Sequence, residues 1–281
     1  MPVLPSLTHT KTGRTIFFQG NSPSADPTAF ASNSNATVYY LPGTSGWGST
    51  LAGCPAVMLS SPTVTTPPSA EVVLTGANAT FAVVASGAPA PSFQWQVSAD
   101  GGQTWNNVSG SGYAGATTSI LTINAPSSAL LGCQYKAIVT NQAGTTGTTP
   151  VPLVVGTSSA KITWLQSNFS PAQLGNPAIV GDMATPAHDG IPNLLKYAFN
   201  LNALANGQGA FPQPTQSGSQ ASLVFQAMQP DLTYTVQAST DLSNWSTAGV
   251  TTQTNGSQVT ANYSLPGNTP VFLHLVITPT Q

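Results

Sequence analysis

The feature that most constrains this chain is how often its apolar runs are broken. Between residues 70 and 156, short stretches alternate apolar and polar residues, and a turn signal interrupts them about every ten residues. Residues 79–85 alternate and stop at Ser86-Gly87. Residues 92–97 put Phe93, Trp95 and Val97 on one face and run into the hairpin signal Asp100-Gly101-Gly102. Residues 119–123 and 135–140 follow the same pattern. A period of two gives each run one core face and one water face, so these are strands packed in layers. The pattern returns at residues 15–20, 36–41, 223–225, 232–238 and 271–277. One segment differs: after Pro192, residues Leu194, Leu195, Ala198 and Leu201 fall at helical spacing and predict a single short helix.

Residues 60–70, SSPTVTTPPSA, read as a stiff, extended Pro/Thr/Ser linker. Together with the change of character near 157 and the turn-rich stretch at 207–220, it divides the chain into units 1–61, 62–156, 157–210 and 211–281. The fold class expected is mainly β: a sandwich at 62–156, a small β segment before it, and a β module with one short helix after it.

Charge limits function. Only 4% of residues are charged, against roughly 25% in an ordinary soluble domain. Net charge is −2 with no basic patch, which excludes nucleic acid as a partner. The seven acids and five bases are scattered rather than clustered, so no catalytic residues are assigned and the chain is expected not to be an enzyme. His188 beside Asp189 suggests a general base, but adjacent side chains point apart and no nucleophile is placed nearby. Cys54 and Cys133 fall in different units and are expected to be buried or idle thiols, in preference to a disulfide, with Cys133 lying outside the core position. No apolar run is long enough for a membrane helix. The opening residues 1–15 lack a continuous apolar stretch and do not read as a secretory signal, so either the protein stays inside or the chain is a fragment of a larger one, and the composition favours the fragment. Seven sequons, at Asn35, Asn78, Asn107, Asn168, Asn244, Asn255 and Asn262, are what chance supplies in a chain this rich in Asn, Ser and Thr.

Three resemblances follow from particular words. IFFQGNSPS followed by NATVYYLPGTSGWGSTLAGCPAVML resembles the C-terminal end of a BspA-like leucine-rich repeat array in bacterial surface proteins. That likeness implies Ile16, Phe17, Val38 and Tyr40 facing neighbouring repeats or a small core of their own. GAPAPSFQWQVSADGGQTW, ATTSILTINAP and GCQYKAIVTNQAG resemble a bacterial immunoglobulin-like domain. Trp95 matches the buried tryptophan of its third strand and Tyr135 the tyrosine that corners its sixth. The intersheet cysteines of that family would fall at Val83 and Ala137, so the core is expected to stand on packing alone. DGIPNLLKYA and LTYTVQASTDLSNW resemble a C-terminal β module of large secreted proteins from Verrucomicrobia-like bacteria.

HDGIPNLLKY also reads as the second half of an EF-hand-like calcium loop. Asp189 takes position 5, Gly190 position 6 and Asn193 position 9. Thr185 and Ala187 stand where acids belong, and Lys196 replaces the bidentate acid. Asp189 and Asn193 are the surviving candidate ligands of a degenerate site, and no bound calcium or other cofactor is expected. Instead, Gly190 is expected to make the turn, Asp189 or Asn193 to cap the helix, and Lys196 to snorkel over Tyr197 or its neighbours.

Trp47, Trp105 and Trp245 lie in turn contexts. Flat aromatic faces beside Asn and Gln stack on sugars, so Trp47 and Trp245 are the candidate ligand contacts; the alternative is that each tryptophan plugs the end of its own sheet, which the resemblance implies for Trp105 and Trp245. The function expected is a non-enzymatic extracellular or cell-surface modular protein with an adhesion, spacer or protein-interaction role, its partner an unidentified protein or glycan. The alternative is a carbohydrate-binding accessory region of a larger secreted enzyme.

Overall fold

The computed structural model describes residues 15–30, 35–265, 267 and 270–280. Residues 1–14 of the opening stretch read above for a leader lie outside the described residues. The chain is mainly β and contains an immunoglobulin-like β-sandwich. One sheet runs Asn106–Asn107, Ser92–Ser98, Gln134–Asn141, Val151–Gly156, Glu71–Leu74, with Gly144–Gly147 hairpinned onto Gln134–Asn141. The facing sheet runs Tyr113–Ala114, Ile120–Ile123, Ala79–Ala82. Every pair is antiparallel except Val151–Gly156 with Glu71–Leu74, where the first strand of the sandwich lies parallel to the last.

The core between the sheets includes Phe81, Val83, Trp95, Leu121, Tyr135, Ala137 and Leu153. Trp95 is 0% exposed, and its Nε1 donates to the carbonyl of Thr118 at 2.9 Å, so its polar tip is satisfied where its ring is buried. Tyr135 stacks on Phe81 with centroids 4.9 Å apart. Its hydroxyl pairs with that of Tyr113 at 3.3 Å. Val83 and Ala137 are buried in the same cluster. Cys133 is corrected: it is 2% exposed and belongs to this core. The irregular segment ahead of strand Gln134–Asn141 turns it inward, because Cys133 N–H bonds to Leu130 O while its carbonyl accepts from Leu153 N–H.

The linker expected at 60–70 is also corrected. Ser60–Thr66 is a strand paired antiparallel with Val84–Ala88, with bulges on either side of the Thr63–Val64 pair. Extended Pro/Thr chain already has strand-like dihedrals, and a neighbouring edge supplies the ladder. The run read as one strand at 79–85 breaks at Val83, because Ala79–Ala82 pairs with Ile120–Ile123 while Val84–Ala88 pairs with Ser60–Thr66.

Ahead of the sandwich, Thr15–Phe18, Thr37–Tyr40 and Cys54–Met58 lie parallel, with Thr50–Leu51 antiparallel at the edge. Ile16, Phe18, Val38, Leu51 and Cys54 form their core, with Tyr40 and Trp47 against it. Phe17 faces the other way and stacks on Tyr39.

Among the described residues, four α-helices stand where one was expected: α1 (Ser159–Asn168), α2 (Pro171–Leu174), α3 (Pro177–Val180) and α4 (Asn193–Ala198). α1 starts where the Ser158 hydroxyl accepts from Lys161 N–H, α2 on a Ser170/Gln173 capping box, α3 on the Asn176 side chain. Beyond them, a sheet ordered Thr215–Ser217, Gln220–Gln226, Gln258–Ser264, Val250–Asn255 packs with the pair Leu232–Ser239 and Phe272–Pro279 around Leu223, Phe225, Val236 and Ala261.

Strand Val151–Gly156 joins the sandwich to the helices. Leu153 and Val155 point into the sandwich core, and Val154 between them points into a second core with Leu131, Trp164, Leu165, Leu174, Val180 and Tyr197. A strand buried on both faces is a shared wall rather than a tether. Gln134 Nε2 donates across it to Gly175 O at 2.7 Å.

Candidate functional site

The loop before α4 places its polar groups against an ammonium. His188 and Gly190 both take positive φ, +55° and +76°, which turns the chain so that the Asp189 side chain points inward while His188 stays exposed. One Asp189 oxygen accepts from Ile191 N–H at 3.0 Å; the other accepts from Gly207 N–H at 2.8 Å and meets Lys196 Nζ at 2.9 Å. Lys196 is completely buried. Its remaining protons go to the carbonyls of Ala203, at 3.1 Å, and Ala205, at 2.8 Å. The Lys196 ammonium, then the Gly207 amide, hold the Asp189 carboxyl well below the usual carboxylate range.

The snorkelling expected of Lys196 is therefore corrected: α4 aims it inward, and three acceptors offset its desolvation. The capping role is corrected as well. Pro192 stands at the N-cap without a side-chain bond. Asn193 instead turns away from Asp189, its Nδ2 donating to the carbonyls of Ile179 and Gly181 at 2.8 and 3.0 Å. Asp189 and Asn193 are not brought together, and Asn193 Oδ1 has no hydrogen-bond partner among the described residues. Gly190 makes the turn.

A second buried lysine went unread in the sequence. Lys161, on α1, meets Asp182 Oδ1 at 2.7 Å and lies over the rings of Tyr197 and Trp164 at 4.5 and 5.0 Å. Nearby, Asp231 accepts from Tyr197 Oη and Thr157 Oγ1, both at 2.7 Å. Burial works against its charge, and the hydroxyls of Tyr197, Thr157 and Ser158 outweigh it, so its carboxyl sits below the ordinary range.

Each of the three tryptophans packs against a side chain of its own module. Trp47 stacks on Tyr40 with centroids 4.5 Å apart and planes 2° from parallel, and Phe18 meets it edge-on. Trp105 and Trp245 belong to the same turn built twice. In one, Ser98 Oγ donates to Asp100 Oδ1, Asp100 accepts from the amides of Gln103 and Thr104, and Trp105 Nε1 donates to Gly102 O. In the other, Ser239 Oγ donates to Asp241 Oδ1, Asp241 accepts from the amides of Ser243 and Asn244, and Trp245 Nε1 donates to Leu242 O. SADGGQTW and STDLSNW carry the signal, one residue shorter in the second. Lys136 Nζ sits 4.0 Å over Trp105, and His274 meets Trp245 edge-on at 4.1 Å. Both aspartates are held well below the usual carboxylate range, Asp100 first by the Thr104 hydroxyl and Asp241 first by the Asn244 amide.

Among the described residues, no three His, Cys, Asp or Glu side chains gather as a metal site, and no helix is long and apolar enough to cross a membrane.

No family model matches the chain. Over 133 residues it is 36% identical to Endoglucanase C of Cellulomonas fimi, a match covering 47% of this chain and 11% of that protein. Among solved structures, it is similar to the tandem Ig repeats of Dlar (20% identity, TM-score 0.31, 37% of this chain and 53% of that one). It is also similar to a chimeric titin Z1Z2 (30% identity, TM-score 0.29, 35% and 96%) and to the titin M3 domain (23% identity, TM-score 0.28, 34% and 96%).

Proposed function

We propose that this chain is a non-enzymatic modular segment of a larger extracellular or cell-surface protein, a stiff spacer that holds its outer modules at a fixed orientation for interaction with a protein or glycan. The observation that carries this reading is the shared wall. Val154 and Leu131 of the sandwich are core residues of the helical unit, so the two units meet through packed apolar surface and not through a free linker. The three parallel strands at the N-terminal end support reading that part as the end of a leucine-rich repeat array.

The similarity to part of Endoglucanase C favours a second reading, an accessory region of a secreted polysaccharide-degrading enzyme. Binding of the full chain to a glycan array and to insoluble cellulose separates the two. The spacer reading expects no retention on either and no release of sugar. Retention that disappears in Trp47→Ala or Trp245→Ala moves the assignment to the accessory region, and any hydrolysis overturns both.

A further inference from the structure

The oxygens around the Lys196 ammonium have the make-up of a small-cation site. Asp189 Oδ2, Ala203 O and Ala205 O lie 2.9, 3.1 and 2.8 Å from Nζ. They come from two different loops, and the side chains of Lys196 and Asp189 are 0% and 1% exposed. One carboxylate with main-chain carbonyls is the donor set of hard, oxygen-seeking cations. A neutral side chain at 196 leaves a buried carboxylate and two carbonyls without their cation, which is the costly way to break a buried pair.

We propose that this cage is a cation site filled by the chain's own ammonium, and that once the tether is cut it takes a compact free cation: ammonium, potassium or calcium. In the native chain the tethered charge closes the 188–191 loop onto the 202–207 loop and makes that closure independent of ambient salt. This goes beyond the spacer reading and does not rest on it.

The test uses the full chain and its Lys196→Ala variant. Hydrogen exchange is followed at the Gly207 amide, which bonds to Asp189. Each protein is measured in ammonium, potassium and calcium chloride, with tetramethylammonium chloride, too large for the cage, at matched ionic strength. The parent exchanges equally slowly in all four. In Lys196→Ala, exchange in tetramethylammonium is faster by roughly 100-fold or more, and at least one compact cation restores protection saturably. A variant that no compact cation protects overturns the proposal, and so does one already as protected as the parent in tetramethylammonium. If Lys196→Ala does not fold in tetramethylammonium, it is refolded from urea in each salt; folding in a compact cation supports the site, and failure in every salt overturns it. The double variant Asp189→Asn/Lys196→Met removes both charges and is indifferent to salt; a response like that of the single variant places the cation elsewhere and overturns the assignment.

Discussion

Trp95 is the residue on which the sandwich turns. It touches both sheets through Phe81, 6.2 Å away between centroids, and its indole N–H is anchored to Thr118 O. Trp95→Ala leaves a large cavity beside a stranded carbonyl, and is expected to cost about 3–5 kcal/mol by denaturant unfolding, a large part of one domain's stability. No disulfide stands behind this core. Cys133 is a buried free thiol whose burial pushes its ionisation up, so it is a poor nucleophile as well. Reductant is therefore expected to leave the sandwich's melting temperature unchanged, and a clear drop would mean that Cys133 is bridged in solution. Trp95, Val83 and Ala137 were legible because alternation alone puts them inside. Lys161 and Lys196 were not: their burial depends on Asp182 and Asp189 arriving from other elements, and a pattern that counts lysine as polar assigns both to water.

At the scale of elements, the same effect hid α1. Its buried stripe is Lys161, Trp164 and Leu165, so one of the three residues that would have revealed a helical face is charged. Ser170-Pro171 and Asn176-Pro177 did carry readable start signals for α2 and α3, a capping side chain followed by proline at the first helical position. Two elements hold the joint closed. Gly132, at φ +81°, faces the start of α3, and a Cβ there would lie 2.9 Å from both Pro177 N and Val180 Cγ2. Gly132→Ala combines a strained backbone with overpacking and is expected to cost about 1–3 kcal/mol, measured as a shift in urea midpoint. Asp231 ties Thr157, at the exit of the shared strand, to Tyr197 on α4. Its folded pKa is depressed, so its contribution is present above the unfolded value of roughly 3.9 and is lost as pH falls through the folded one. Asp231→Asn is accordingly expected to melt lower than the parent at pH 7, with the gap closing below about pH 4. A gap that stays constant with pH would mean the carboxylate's charge contributes nothing.

Across the whole molecule, scarcity of charge becomes a property of its own. The chain has five Lys and Arg in 281 residues. Of the three that the structure describes, two are buried in ion pairs, and the third, Lys136, lies in a strand flanked by Ser92–Ser98 on one side and by Val151–Gly156 and Gly144–Gly147 on the other, with its ammonium over Trp105. A protease needs an extended, accessible segment, so a peptide bond inside a ladder or beside a packed helix is cut only through local opening. Trypsin acting on the folded chain is therefore expected to make no cut after Lys136, Lys161 or Lys196, under conditions where the urea-unfolded chain is cut at all three. Mass spectrometry of the digest reads the result directly. Early fragments ending at Lys161 or Lys196 would show that the helical unit opens independently of the sandwich, and the stiff-spacer reading would fall with the shared wall that supports it. Lys196→Ala removes one cleavage site but also the cation that closes its cage. In low salt, faster cutting at Lys161 in that variant than in the parent is the expected sign that the cage stabilises the whole helical unit and not only its own loops.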